Sequence, residues 1–398
     1  MSIWRQGLWR YRLTTAGAAL AALSIATAVR TPPVALSVAA AAAGAVVSTL
    51  EILNNRRRAR QYRFQHRAAD DYRDIAEQVA GAGRLLENAH SLGVVLADES
   101  ARLRGHRIDV RIEPTDYVLG RDLKRWSFDF LARHARTAAL HNDPVLGLSS
   151  DLPTGSDDAV VTLRRAHYFD FFCSNLLAPY DVQEAGRRTP VLRGRDLLLD
   201  HRGRLRGFRD SRLANVVGVS TLAFTIDGQL LLVAQSRDNV GSPGLVAPSG
   251  SGSLEPRDAP AGELTFQQVI LNGALREMRE ECHVEPNEIA GSAVLGSGRW
   301  LSRGGVPEFA AVAMLKVTAD EVLARSVRWR ERPYVGEVTA VRVSPTAEWD
   351  AAEPLALLPV TDRHAASWPL AFSLACLTAC LADEAWPLCD ELAAVVDQ

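Results

Sequence analysis

The sequence predicts an α+β fold, and three features of residues 206–350 predict it. Asn215 to Ser236 contains two apolar runs on either side of an Asp227-Gly228 turn, which is the pattern of two hairpin-connected strands. A glycine-rich loop follows, over residues 243–252. Residues 267–281 then place apolar side chains at helical spacing. Strand, strand, glycine-rich loop and helix therefore predict a mixed domain, preceded by a helical hairpin and a mixed α/β linker.

Length and composition indicate a multi-unit globular protein. A chain of 398 residues exceeds one domain of ordinary size, and it is 47% hydrophobic and 23% charged. The net charge of −2 predicts no double-stranded nucleic acid partner. Five cysteines without CxxC spacing argue against a disulfide framework or a zinc site. We divide the chain into segments 1–54, 55–205, 206–350 and 351–398, the last being helices that pack on the third.

The first segment contains two uncharged runs, residues 13–29 and 34–50. Each has the minimum length for crossing a bilayer core of about 30 Å. Arginines precede the first run and follow the second, so the positive-inside rule predicts that both termini are cytoplasmic. We expect residues 13–50 to anchor the chain in the inner membrane as two helices. A cleaved signal peptide and a buried soluble hairpin are the alternatives.

The second segment predicts a stalk followed by mixed structure. From Glu51 to Arg104 apolar residues recur at helical spacing, which predicts one long helix or two helices, and such stalks often form homo-oligomers. Residues 106–114 and 160–163 read as short strands, and residues 122–140 as a helix. The aromatic run from Tyr168 to Leu177 predicts core packing or, alternatively, stacking on a nucleobase.

Three carboxylates on the predicted helix are the main functional signal. Glu277, Glu280 and Glu281 share one helix face because they are three and four residues apart. Like charges at this spacing repel unless a cation or an arginine compensates them. Hard cations such as Mg²⁺ or Mn²⁺ suit such oxygen ligands. The alternative is a solvated face balanced by Arg276 and Arg279.

The surrounding residues resemble the Nudix box, G-x5-E-x7-R-E-U-x-E-E-x-G-U, where U is bulky and apolar. The matching stretch begins at Gly262 and ends at Val284, and it departs from the box at Gln268 and His283. The resemblance covers about residues 206–350. It implies an α/β/α sandwich, a divalent cation (Mg²⁺ or Mn²⁺) held by Glu277, Glu280 and Glu281, and hydrolysis of a nucleoside diphosphate linked to another moiety.

The resemblance also implies roles for other residues. Arg276 would pair with the first acidic position of the box, here Gln268. Gly250 and Gly252 would lie in the substrate-binding loop. Glu337 is the expected general base outside the box, with Glu331 and Glu308 as alternatives. If Gly252 is the true box glycine and ten residues are inserted after it, Glu255 or Glu263 would supply the missing acid.

The whole architecture resembles membrane-bound Nudix effectors of bacterial anti-phage signalling. That resemblance implies an alternative function, in which the Nudix domain binds a cyclic nucleotide signal with little or no hydrolysis. A degenerate scaffold without activity is the third interpretation. The expected partner is therefore a nucleotide, as substrate or as signal.

Overall fold

The computed structural model describes residues 61–79, 83–89, 91–134, 141–153, 159–236, 242, 244–325, 335–344, 349–350, 353–383, 386 and 388–397. The strands in these residues are β1 Tyr62–His66, β2 Arg84–Asn88, β3 Ser91–Leu96, β4 Asp109–Ile112, β5 Pro144–Leu148, β6 Val160–His167, β7 Tyr180–Glu184, β8 Gly218–Phe224, β9 Gln229–Gln235, β10 Val246–Ala247, β11 Gly250–Ser253, β12 Ile289–Trp300, β13 Val306–Leu315 and β14 Val335–Arg342. The helices are α1 Arg73–Val79, α2 Ala97–Gly105, α3 Arg121–His134, α4 Tyr168–Phe172, α5 Phe266–Cys282, α6 Ala319–Leu323, α7 Val360–Arg363, α8 Trp368–Leu381 and α9 Cys389–Val396.

A nine-stranded sheet organises the molecule. Its main order is β10-β9-β8-β13-β12-β3-β2, with β11 paired to β8 and β14 paired to β9. The β8–β13 pair is parallel, and the other pairs in this sheet are antiparallel. Two smaller sheets, β1-β7 and β4-β6-β5, come from the segment before residue 206.

Helices α5 and α8 pack on opposite faces of the large sheet. Successive strand residues point to opposite faces, and the cores follow that rule. Val219 of β8 and Val217 just before this strand pack with Val269 and Ile270 of α5. Leu222 of β8 packs in the core that contains the buried side chains of α8. A sheet enclosed between two helices gives this mixed α/β fold three layers.

The elements around the acidic helix agree with the prediction. Strands β8 and β9 flank the Asp227-Gly228 turn, where Gly228 has a φ of 73°. Helix α5 spans the predicted 267–281 with one further residue at each end. The predicted short strands correspond to β4 and β6, and α3 covers the described part of the predicted helix 122–140.

The predicted stalk of one or two long helices over residues 51–104 is wrong, because it overlaps α1 and α2 but also contains the strands β1, β2 and β3. Residues 84–88 and 91–96 are strands β2 and β3, and β3 pairs with β12 of the large sheet. Every residue of β3 is buried, so its continuous apolar run has no helical polar face. Gly93 faces Trp368 so closely that a Cβ would collide with its ring. Segment 55–205 therefore contributes strands to the sheet of the third segment.

The predicted transmembrane hairpin needs correction. Among the residues that the structure describes, no helix is both long and apolar enough to cross a bilayer. Helix α8 lacks charges but has 14 residues, which rise only about 21 Å. Runs 13–29 and 34–50, to which the hairpin was assigned, lie outside the described residues. The fold class is corrected to a mixed α/β fold, and a two-span inner-membrane location is not supported.

Candidate functional site

Helix α5 carries the candidate site, and its two ends are well defined. The Thr265 hydroxyl accepts a hydrogen bond from the Gln268 N–H (3.2 Å), and the Gln268 side chain accepts one from the Thr265 N–H (2.8 Å). This reciprocal capping box fixes the helix start. The helix ends at Cys282, because His283 adopts a left-handed conformation (φ 59°) while its N–H donates to the Arg279 carbonyl. His283 thus takes the backbone conformation for which the Nudix box uses glycine.

Arg276 pairs with Asp258, not with Gln268 as the sequence predicted. Its Nε and one terminal nitrogen donate to the two Asp258 oxygens at 2.8 and 2.9 Å, which is a bidentate ion pair. The same side chain donates to the Ser253 carbonyl at 2.9 Å. Burial lowers the pKa of Arg276, but Asp258 and the neighbouring glutamates outweigh it and hold the pKa above its usual range.

The contacts of Arg276 follow the alternative alignment, in which Gly252 is the box glycine. Five residues separate Gly252 from Asp258, and 17 residues separate Asp258 from Arg276 instead of the usual seven. Sequence reasoning missed Asp258 because it looked for a glutamate. The spacing Gly252-x5-Asp258 was the signal that could have found it. Gly262 has an open environment on the exposed loop between them.

Gly250 and Gly252 allow β11 to lie directly against α5. A Cβ on Gly250 would collide with the backbone of Met278, and a Cβ on Gly252 would collide with the Glu277 carboxylate. The close approach fixes where Glu277 lies relative to the loop. Gly252 lines the cavity beside α5. The role of both glycines in substrate binding stays a prediction.

The box carboxylates line one cavity of about 530 Å³. Glu277 accepts from an Arg276 terminal nitrogen at 2.8 Å, and the same nitrogen lies 3.3 Å from a Glu280 oxygen. Burial raises the pKa of Glu277 to about 7, and the charge of Arg276 opposes the rise. Glu281 accepts from the Ser251 N–H at 3.3 Å. The helix therefore presents all three predicted metal ligands to a single space.

The oxygen atoms of these carboxylates are the ligand type that a hard divalent cation prefers. Their positions, however, do not surround a common point at which a cation could lie. Glu255 lines the same cavity, so four carboxylates supply oxygen ligands of the kind that Mg²⁺ and Mn²⁺ accept. Arg257 also donates to Glu280 at 3.1 Å. Within the described part of the chain, no three His, Cys, Asp or Glu side chains are already placed to hold a metal. Arginine side chains would have to shift before a cation could replace them.

Glu308, and not Glu337, shares the cavity with the box carboxylates. Glu308 is buried on β13, accepts a hydrogen bond from the Ser220 hydroxyl at 2.8 Å, and has a pKa raised to about 7 by burial. Glu337 lies on β14 and lines a separate cavity, of about 440 Å³, behind the end of α5. Glu331 lies outside the described residues.

The remaining wall of the cavity comes partly from the segment before residue 206. Tyr168 and Phe171 of α4 line it together with Trp300 and Arg303. Pro369, in the first turn of α8, lines it as well. Sequence reasoning assigned the aromatic run at 168–177 chiefly to the core. The structure buries Phe171 and Phe172 and leaves Tyr168 partly exposed, and both Tyr168 and Phe171 line the cavity.

Among known proteins, this chain is similar only to solved structures. No family model and no curated protein matches the chain. Protein DR0079 from Deinococcus radiodurans is 19% identical with a TM-score of 0.27, over 44% of this chain and 94% of that one. A MutT protein from Methanosarcina mazei Go1 is 19% identical with a TM-score of 0.23, over 37% of this chain and 87% of that one.

Identity and TM-score are too low in both cases to assign an activity or a substrate. The Nudix-like character of the domain is visible in its own geometry. Strands β8 and β9, the glycine-containing strand β11 and helix α5 follow one another in the chain. Arg276 of α5 pairs with Asp258, which lies six residues after Gly252.

Proposed function

We propose that this chain is a divalent-metal-dependent, Nudix-type hydrolase of a nucleoside diphosphate linked to another moiety. The buried Arg276–Asp258 pair carries the proposal. It joins the loop after Gly252 to α5 and thereby fixes three carboxylates at one cavity. Burying such a network removes its charged groups from water, which costs free energy. That cost is expected at a functional site, where the charged groups must be held in a precise arrangement.

Each residue of the site has a part in this chemistry. Glu277, Glu280 and Glu281 would hold the cation, which when bound supplies charge neutralisation for the diphosphate and a more acidic water. Arg257 has a half-exposed side chain at the cavity and can donate to phosphate oxygens. Glu308 replaces Glu337 as our candidate general base, because a carboxylate with a pKa near 7 can accept a proton at neutral pH.

A second candidate function is nucleotide binding with little or no turnover. The observation that favours it is that Arg276 and Arg257 already pair with two of the three box carboxylates, Glu277 and Glu280. Ion pairs that already satisfy these carboxylates oppose cation binding, while the cavity stays open to a nucleotide. The anti-phage resemblance depended on the membrane hairpin, so with the hairpin corrected it forms no part of either proposal.

Turnover by the full chain separates the two candidates. Purified protein is incubated with Mg²⁺ or Mn²⁺ and a panel of nucleoside diphosphates linked to sugars, nucleosides or phosphate, and the products are separated by chromatography. We expect cation-dependent cleavage that the double change Glu280→Gln and Glu281→Gln abolishes. Glu263→Gln is the matched control, because Glu263 is exposed on the inserted loop.

Each outcome has a definite meaning. Cleavage lost in the double variant and kept in the control supports the hydrolase. Binding of a nucleotide without cleavage, at any cation concentration, supports the second candidate and overturns the first. A folded protein that neither binds nor cleaves any member of the panel overturns both.

A further inference from the structure

The cavity has a second end, far from the box carboxylates. Gly252 and Ser253 lie on β11, which pairs with β8. Trp300 lies on β12 and pairs with Val306 of β13. Since β11, β8, β13 and β12 are successive neighbours, three strand spacings of about 4.8 Å separate the two ends, or about 14 Å. A ligand that contacts both ends must be extended.

Flat, apolar surfaces form this second end. The Tyr168 and Phe171 rings lie 5.6 Å apart between centroids, and Val145, Val216 and Val306 line the space beside them. Trp300 is held from behind by Trp368, whose ring stacks on it at 5.3 Å. A wall of fixed aromatic rings and branched aliphatic side chains is suited to a planar, hydrophobic ring.

Arg303 brings a guanidinium to this end, where Asp143, whose carbonyl accepts the Tyr168 N–H, also lines the cavity. The guanidinium lies 4.8 Å from the Trp300 ring centroid and 6.0 Å from that of Phe171, so its flat faces are packed against rings. Among the described residues it has no ion pair and no hydrogen bond. A stacked guanidinium keeps its N–H donors at its edge, where they can form two parallel hydrogen bonds.

Two further polar groups here have hydrogen-bonding capacity to spare. The Tyr168 hydroxyl has no hydrogen-bond partner within the described residues. The indole N–H of Trp300 has none there either, although Trp300 is only 6% exposed. Buried or half-buried donors normally have acceptors. A ligand that supplies an acceptor atom would satisfy the Tyr168 hydroxyl, whereas the Trp300 N–H is closed off from solvent and would need its ring to shift.

We propose that this end of the cavity binds the nucleobase of the ligand, with the ring against Tyr168 and Phe171 and two acceptor atoms at the edge of Arg303. Guanine fits this description, because its O6 and N7 are adjacent acceptors that arginine contacts in bidentate fashion. Adenine presents an amino group in place of O6, so one Arg303 donor would face another donor. The inference rests on the proposed function in one respect, that the cavity takes a nucleotide.

Binding of nucleoside monophosphates to the full chain tests this inference without turnover. GMP, AMP and ribose 5-phosphate are titrated in the absence of divalent cations, and binding is followed by calorimetry and by tryptophan fluorescence. We expect GMP to bind at least about ten-fold more tightly than AMP, since one good bidentate contact is worth roughly 1–3 kcal/mol of discrimination. Ribose 5-phosphate, which has no base, should bind more weakly than either.

Two variants locate the effect. Arg303→Lys keeps the charge but removes the planar fork, so it should abolish the preference for GMP over AMP. Tyr168→Leu should weaken GMP and AMP alike, by roughly ten-fold, through lost stacking. Arg202→Lys is the control, because Arg202 lies on an exposed turn and does not line the cavity. It should change none of these affinities.

The outcomes distinguish this inference from the proposed function. Equal affinities for GMP and AMP, no binding of either, or a preference that survives Arg303→Lys would each overturn the base-binding assignment. If the chain cleaves nucleotides and Arg303→Lys leaves its selectivity unchanged, the hydrolase stands and this inference falls. If the chain prefers GMP in an Arg303-dependent way but cleaves nothing, the inference stands and the hydrolase falls.

Discussion

Arg276 and Arg303 line the same cavity but have opposite environments. Arg276 donates to Asp258, Glu277 and the Ser253 carbonyl, and these acids raise its pKa. Arg303 packs its faces on aromatic rings, and burial lowers its pKa. The arginine of the box end is therefore fully paired within the protein, whereas the arginine of the aromatic end has donors that a ligand could use.

This difference indicates that the box end stabilises the fold and that the aromatic end binds the ligand. Arg276 joins three parts of the chain, namely α5, the end of β11 and the loop that contains Asp258. Arg303 follows β12 in a tight turn, and Gly304 and Gly305 beside it have φ values of 79° and 65°. Loss of Arg276 should harm the fold, and loss of Arg303 should harm binding alone.

Arg276→Met gives the largest expected effect on stability. The Asp258 side chain is only 3% exposed, so the change leaves a buried carboxylate without its cation. Breaking a buried pair from one side typically costs about 3–5 kcal/mol. Chemical denaturation followed by tryptophan fluorescence should show a loss of that size in the free energy of unfolding.

The matched control for that change is Arg212→Met. Arg212 also pairs with an aspartate, Asp122, but both side chains are about half exposed. Exposed pairs are worth about 0–1 kcal/mol. An Arg276→Met protein no less stable than this control would show that the fold does not depend on the pairing of Arg276.

The two ends also differ in how far the sequence could predict them. Helix α5 and its three glutamates were predictable, because helical periodicity and the i, i+3 and i+4 spacing are local properties. The Arg276–Asp258 pair was missed because 17 residues separate the two side chains instead of the usual seven. Gln268 matched the box by spacing, yet a local capping interaction with Thr265 determines its position.

The aromatic end depends on long-range pairing that no local pattern contains. Glu308 reaches Ser220 because β13 pairs in parallel with β8, 88 residues earlier in the chain. Tyr168 and Phe171 reach Trp300 through the packing of segments far apart in sequence. The strands β2 and β3 were misread as helix because a short apolar run in a buried strand can match helical spacing equally well.

Glu308→Gln should have an intermediate effect, visible as a change in the pH dependence of stability. Burial raises the pKa of Glu308 from its usual 4.5 to about 7 against the opposing effects of the Ser220 hydroxyl and Arg303. The folded state then holds a proton between about pH 4.5 and 7 that the unfolded state has lost. The contribution of Glu308 to the free energy of unfolding is therefore highest below pH 4.5 and falls as the pH rises to 7.

Glutamine cannot titrate, so the variant should lack this decline. Relative to wild type, Glu308→Gln should gain on the order of 3 kcal/mol between pH 4.5 and pH 8. Denaturation at several pH values measures the gain, with Glu263→Gln as the control expected to follow wild type. Parallel profiles for all three proteins would mean that Glu308 is ionised in the fold and paired with Arg303, which would remove the contrast between the two ends.

Arg303→Met should have the smallest effect on stability and is the sharpest test of the contrast. Within the described residues Arg303 forms no ion pair, and burial disfavours its charge and lowers its pKa. Methionine keeps much of the stem that packs on Trp300 and Phe171. The free energy of unfolding should change by less than about 1 kcal/mol, because replacing a buried charge with an apolar side chain of similar length is often neutral or stabilising. The same protein should lose its preference for GMP. A loss of stability as large as that of Arg276→Met would mean that Arg303 is a structural residue, and that both ends of the cavity serve the fold.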